Sequence, residues 1–360
     1  MAAILHPERL KVAAVVTFYM ASALIMVFVN KAVLNSSPDL PLIFLLFQLL
    51  IAVILLHLSA AISKKVQIPK LDLQVAKNLV PVVSVNIIGL VFNTLCLRDV
   101  EASFFQIARG LVLPLTIAVS SAFNRSTPSG QVIIAAGIVT LGFMWGVVPS
   151  SDSLPVTSIP STLSLFYGFL SSLFIAFHAV LIKTSLPYCN NSTIELAWWT
   201  NIGSAVMVLP FVLLLQEPSK LFELAQTDTW NWGVFFWGTL VTGVFGFLLC
   251  IAGLLSIKVT SPVTHMFSSA ARSVLQTGLS IRFFGDILTV NRAASIGTIL
   301  AGTMFYTWAK SVENPPPPQC KGSDVELGHS SIKKTASHGR PDHIGIEQVD
   351  QVTNEKDVMK

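Results

Sequence analysis

Over the first three hundred positions apolar residues run so continuously that neither the alternation of a half-buried strand nor the single stripe of a surface helix survives. Helices apolar on every face belong in a bilayer, where about 20 such residues span the hydrocarbon. The runs are interrupted where turn formers and charges gather, as at 35–41, 63–72 and 149–160. Between the breaks the pattern predicts ten helices: 12–34, 41–62, 75–97, 101–123, 130–148, 161–184, 194–216, 232–257, 262–284 and 291–310.

Composition sharpens this picture. Of 360 residues 52% are hydrophobic and only 12% charged, half the charge of an ordinary soluble domain. Fourteen of the 42 charged residues fall in 311–360, which opens on Pro315–Pro318 and is polar thereafter; too little apolar mass remains there to fold, so a disordered tail is expected. A net charge of +4 with no basic stripe excludes a nucleic-acid binder. Cys96, Cys189, Cys250 and Cys320 show no CxxC spacing, so free thiols and no metal or other cofactor are expected. No removable signal peptide is expected, because the first apolar run is long enough to span and stay.

Orientation follows from the basic residues outside the spans. One side collects sixteen, among them Arg9, Lys11, Lys64, Lys65, Lys70, Lys77, Arg125, Lys183 and Lys258; the other receives only Arg98, Lys220, Arg282 and Arg292. Both termini should therefore face the cytosol.

A faint internal repeat is visible. Ala108-Arg109-Gly110-Leu111-Val112 in span four matches Ala271-Arg272-Ser273-Val274-Leu275 in span nine, an offset of 163 residues. Five spans per copy is an odd number, so the copies must lie in opposite senses, as in secondary transporters with a site between the halves. The expected fold is thus an all-α membrane protein of ten transmembrane helices in two inverted five-helix repeats. Its parts are a cytosolic N-terminus (1–11), a first repeat (12–148), a lumenal linker (149–160), a second repeat (161–310) and the cytosolic tail (311–360).

Lys31, Arg109 and Arg272 stand inside apolar runs, where a cation costs about 2.5–3.5 kcal/mol even on insertion scales. No acidic residue sits mid-span to pair with them. Guanidinium groups so placed suit a cavity for an anion, above all phosphate, which they grip in a bidentate fork. Lys31, near a helix end, has the alternative of snorkelling or meeting helix carbonyls. Asn30, Asn93, Asn201 and His265 add polar groups that either line the same cavity or join helices. Trp198 and Trp199 either stack on a base or sit in the interfacial belt. Gly142 and Gly146 form a GxxxG, a signal of close helix packing or of a homodimer. Neither an ATP-binding loop nor a metalloprotease motif is present, so no enzyme is indicated and transport must draw on a gradient or exchange.

Several stretches resemble the nucleotide-sugar transporters, a branch of the drug/metabolite transporter fold that includes the plastid triose-phosphate translocators. They are Met26-Val27-Phe28-Val29-Asn30-Lys31, Phe92-Asn93-Thr94-Leu95-Cys96-Leu97 and Ile257-Lys258-Val259-Thr260-Ser261-Pro262-Val263-Thr264-His265. Gln276-Thr277, Phe284-Gly285-Asp286, Thr289, Gly297, Gly302 and Tyr306 continue the likeness, which runs over about 12–310. The resemblance implies a Golgi antiporter that brings in a nucleotide sugar, with GDP-fucose the leading cargo, and returns a nucleoside monophosphate. It implies that Arg272 holds the phosphates, that Lys258 lines the same cavity and that Tyr306 belongs to the site. Two motifs depart from the GDP-sugar pattern. Trp198-Trp199-Thr200-Asn201 stands where those carriers have Phe-Tyr-Asn-Asn, and Ser268-Ser269-Ala270-Ala271-Arg272 replaces a glycine-rich run ending in Lys. A smaller organic or sugar phosphate is the alternative cargo, and a non-transporting membrane scaffold is the alternative of another class.

The orientation has a direct check. Asn190 and Asn191 both begin glycosylation sequons in a loop placed in the cytosol, and are expected to carry no glycan in cells. A mass shift removed by glycosidase and abolished by Asn190→Gln with Asn191→Gln would reverse the assignment.

Overall fold

The structure, a computed structural model, describes residues 7–63, 66–148, 161–227, 230–259 and 262–313. The side chains of 7–12, 250–259, 262–267, 269 and 270 lie outside the described set, as do the expected linker at 149–160 and the tail beyond 313. All described elements are helical: α1 Pro7–Ser36, α2 Pro41–Ile62, α3 Leu73–Asp99, α4 Ala102–Gly110, α5 Val112–Asn124, α6 Gly130–Val147, α7 Thr162–Ser185, α8 Thr193–Leu214, α9 Glu217–Ala225, α10 Trp232–Val259, α11 Pro262–Phe284 and α12 Val290–Glu313. A single 3-10 turn, Leu186–Cys189, joins α7 to the segment before α8. Among the described residues eight stretches are long and apolar enough to cross a membrane: α1, α2, α3, α4 with α5, α6, α7, α8 and most of α10. Helices α11 and α12 form at the ninth and tenth expected positions but are more polar and fall outside those eight.

The starts of these helices are written locally. Asp72, Ser129, Ser161 and Ser192 each accept a bond from a backbone N–H two or three residues on, at Gln74, Val132, Ser164 and Glu195. The fourth expected span is corrected in one respect: it is two helices, α4 and α5, meeting at Leu111. Pro114 has no N–H to offer the Gly110 carbonyl four residues back, so the ladder lapses there, one residue after Arg109. Helix α9 is an addition, a short amphipathic segment in what the apolar pattern presents only as a loop.

Tertiary packing pairs α1 with α10, α3 with α7, α6 with α12, and α2 with both α8 and α10. In lipid such contacts rest on dispersion and on close backbone approach more than on the expulsion of water. The α6–α12 seam shows this. A Cβ on Gly146 would fall 2.4 Å from Ser295 Oγ, and one on Gly302 would fall 2.7 Å from Val139 Cγ2. Ser295 Oγ donates to the Gly142 carbonyl at 2.6 Å. The GxxxG of α6 is therefore occupied by α12 of the same chain, the close-packing alternative of the two.

One end of the bundle, where α3 turns into α4, is densely tied. Lys31 Nζ donates to the carbonyls of Leu97 and Arg98 at 2.9 and 3.0 Å, completing the C-terminus of α3 with a cation where the helix dipole favours one. The Ser103 N–H donates to Asp286 at 2.9 Å, and Gln276 Nε2 to the Ala102 carbonyl at 3.2 Å. Arg292 pairs with Glu101 and lies over the Phe104 ring. Helix α2 has no side-chain cap of its own; the Glu217 carboxylate, from α9, accepts from the N–H groups of Leu42 and Ile43 at 3.2 and 2.6 Å. Burial pushes the Glu217 carboxyl up from its usual range, against the pull of those two N–H groups and of Lys220.

Gly146→Ala should destabilise the bundle by about 1–3 kcal/mol, since the methyl displaces Ser295 from its only room. Lys31→Met should cost about 1.5–3 kcal/mol by stripping two carbonyls of a charged donor. Both are read as a lowered thermal midpoint of the purified protein in detergent; an unchanged midpoint would contradict either account.

Candidate functional site

Two small cavities meet inside the helices. The first, about 130 Å³, is lined by Asn30 from α1, Asn93 from α3, Phe105 and Arg109 from α4 and Arg272 from α11, with Tyr19 and Met26 closing it. The second, about 220 Å³, is lined by Gln48 from α2, Asn201 from α8 and Thr242 from α10 among apolar neighbours, and shares Met26 with the first. The boundary between them is a hydrogen bond: Gln48 Nε2, on the second cavity, donates to Asn30 Oδ1, on the first, at 2.7 Å.

The first cavity is cationic. Among the described residues no Asp or Glu lines it. The Arg109 guanidinium sits 5.7 Å over the Phe105 ring and keeps open surface although its helix is enclosed by others. Arg272 Nη1 reaches Gln276 Oε1 at a long 3.5 Å, and its Nε is buried with no hydrogen-bond partner among the described residues. A desolvated guanidinium with idle donors is costly, and an anion held between two such groups would recover that cost. Asn93 adds to the same polarity: its Oδ1 accepts from Ser171 Oγ at 3.4 Å, which leaves its amide N–H groups for a ligand.

Of the residues singled out in the sequence, Asn30, Asn93, Arg109 and Arg272 come together at the first cavity, and Asn201 lies on the second. Four others do not line either. Lys31 is buried at 7% exposure, one residue past Asn30, with its amine turned to the α3 carbonyls, so snorkelling gives way to the carbonyl alternative. Trp198 and Trp199 are packed edge to face, 5.1 Å between ring centroids, in a cluster with Leu56, Leu79 and Val83. Neither a stacking platform nor an interfacial belt describes them; Trp198 Nε1 donates to His57 Nε2 at 3.2 Å, and the pair backs the turn of α8 that presents Asn201. Tyr306 is half-buried on α12, away from both cavities. Lys258 and His265 lie on α10 and α11, but their side chains are outside the described residues.

The cavities also recruit residues that sequence reasoning passed over, chiefly Gln48 and Thr242. Gln48 is the one amide in the 22 residues of α2, a signal of the same kind as Asn93 in α3. Thr242 carries no such signal, because a threonine in an apolar helix normally satisfies itself on the preceding turn.

Comparison with known proteins places this geometry. GDP-fucose transporter 1 of Mus musculus is 29% identical over 317 residues, covering 85% of each chain. GDP-fucose transporter 1 of Dictyostelium discoideum is 27% identical over 309 residues, 84% of this chain and 81% of its own. An uncharacterized transporter of Schizosaccharomyces pombe is 33% identical over 311 residues, 85% of this chain and 76% of its own. A protein of known crystal structure covers 84% of this chain and 99% of itself at a TM-score of 0.52 and 12% identity, a likeness of fold alone. The family model of the Triose-phosphate Transporter family matches residues 10–307, nearly the whole helical region, and the chain belongs to that family.

Proposed function

We propose that this protein is a secondary antiporter of the Golgi membrane that exchanges a nucleotide sugar, with GDP-fucose the leading cargo, for a nucleoside monophosphate. The observation that carries the proposal is the paired Arg109 and Arg272 at one cavity without a carboxylate on its lining. Two guanidinium groups facing one cavity suit an anion of matching geometry, and a diphosphate is one. The names of the relatives in mouse and Dictyostelium supply the cargo.

In this reading ten helices form two inverted halves, with both termini in the cytosol. The tied end at the α3–α4 turn is then the lumenal closure, and rocking of the halves breaks and remakes it. Arg109 comes from the first half and Arg272 from the second, so an anion bound between them bridges the parts that must move together. A smaller organic phosphate is the second reading, favoured by the cavity's volume of about 130 Å³, which suits a phosphate head more readily than a whole nucleotide sugar.

The test is uptake by purified protein in liposomes preloaded in turn with GMP, UMP, CMP or phosphate and offered labelled nucleotide sugars. GDP-fucose uptake driven by internal GMP is expected. Arg109→Leu and Arg272→Leu should each lower it about tenfold or more while the protein stays monodisperse, since each removes charge-assisted bonds. Uptake driven by internal phosphate and indifferent to GMP would favour the second reading, and normal uptake in both variants would remove the arginines from the site.

A further inference from the structure

The hydrogen bonds between the two cavities sort their chemistry. Thr242 Oγ1 donates to the Gly238 carbonyl at 2.8 Å, on the preceding turn of α10, and has only that one hydrogen. Toward Gln48, 2.7 Å away, it can therefore only accept. That fixes the Gln48 amide with its nitrogen toward Thr242, and the second N–H goes to Asn30 Oδ1. Both Gln48 hydrogens are spent, so the group it has left for a ligand is the acceptor Oε1. Asn30, whose oxygen already accepts one bond, keeps both N–H groups.

The same sorting holds on each side. The 130 Å³ cavity is lined by Asn30 and Asn93, whose oxygens each already accept one bond, and by Arg109 and Arg272, so donors dominate it. On the 220 Å³ cavity, Asn201 Nδ2 donates to the Ala197 carbonyl at 2.7 Å, which leaves Asn201 one N–H and an unspent oxygen on the cavity it shares with Gln48. A ligand with anionic oxygens at one end and N–H donors at the other suits both, since the Gln48 amide has only its oxygen left to offer. A nucleotide whose base offers adjacent donors meets that description. The guanine edge, with its ring N–H and exocyclic amine, offers two, whereas uracil offers one between two acceptors.

We infer that Gln48 is a specificity-determining residue: its Oε1, held in place by Thr242 and Asn30, accepts a hydrogen bond from the base of a guanine nucleotide whose phosphates lie on Arg109 and Arg272. Thr242 is a positioning residue that acts through Gln48. The inference rests on the proposal that nucleotides are the cargo, and it adds which atoms read the base. Its direction is set by a chain of three side chains from α10, α2 and α1.

The test compares GMP with IMP, which keeps the ring N–H and lacks the exocyclic amine. Full-length protein is titrated with each, reading thermal stabilisation, and the two are compared as counter-substrates in liposomes. Wild-type protein should favour GMP over IMP by roughly three- to tenfold, the weight of one hydrogen bond. Gln48→Leu should bring the ratio near one. Thr242→Val, which leaves Gln48 present but free to turn, should lower the ratio likewise, and Thr242→Ser, which keeps the hydroxyl, should restore it. Arg109→Leu should weaken GMP and IMP equally and keep the ratio. A purely structural role for Gln48 or Thr242 would weaken both nucleotides without moving the ratio. An unaltered ratio in Gln48→Leu and Thr242→Val, or a wild type that prefers UMP or does not distinguish GMP from IMP, overturns the inference and leaves nucleotide transport standing. A wild type that no nucleotide stabilises or exchanges overturns the proposed function and this inference with it.

Discussion

A guanidinium removed from water has to be answered by something, and in this bundle that requirement organises the site. Among the described residues Arg272 keeps a buried Nε without a partner, and Arg109 has an aromatic ring beside it and no carboxylate on its cavity. Three other described cations are answered by the fold: Lys31 by two carbonyls, Arg292 by Glu101, Arg98 by Asp99 at 2.5 Å. The contrast separates structure from function more sharply than residue type does. Where the fold needs a cation it supplies the counter-group; where it withholds one, the position is open to an anion from outside the chain.

That distinction also explains what could and could not be read beforehand. Helix existence and extent were legible almost throughout, since uninterrupted apolar runs bounded by Asp72, Ser129, Ser161 and Ser192 leave little choice. The break at Leu111 was not, although Pro114 announces it, because hydropathy averages over a turn and registers no missing N–H. Arg109 and Arg272 were legible because a bilayer penalises them wherever their side chains point. Trp198, Trp199 and Lys31 were ambiguous for the opposite reason: an aromatic pair or a lysine near a helix end serves packing as readily as binding, and only the neighbours decide. Gln48 and Thr242 act through orientation, and a hydroxyl's one hydrogen is committed by the turn above it, which no spacing rule records.

Close backbone contact is the second theme. The glycines of α6 and α12 let two helices meet where side chains would hold them apart, and Ser295 converts that nearness into a bond on a main-chain oxygen. The pairing spends the GxxxG inside the chain, so any association between copies must use another face.

The cap on α2 bears on how such a chain is made. Its first N–H groups wait for Glu217, 174 and 175 residues downstream, while α1 waits for α10 and α6 for α12. Early helices can enter the membrane as they leave the ribosome, but their most extensive packing waits for the later ones. The N-terminal helices are thus not a self-sufficient folding unit, and a ribosome that stops midway releases a product with open helix faces and bare backbone donors. Quality control would recognise that product by those features, and a nonsense change anywhere before α12 would remove the whole protein instead of leaving half of one.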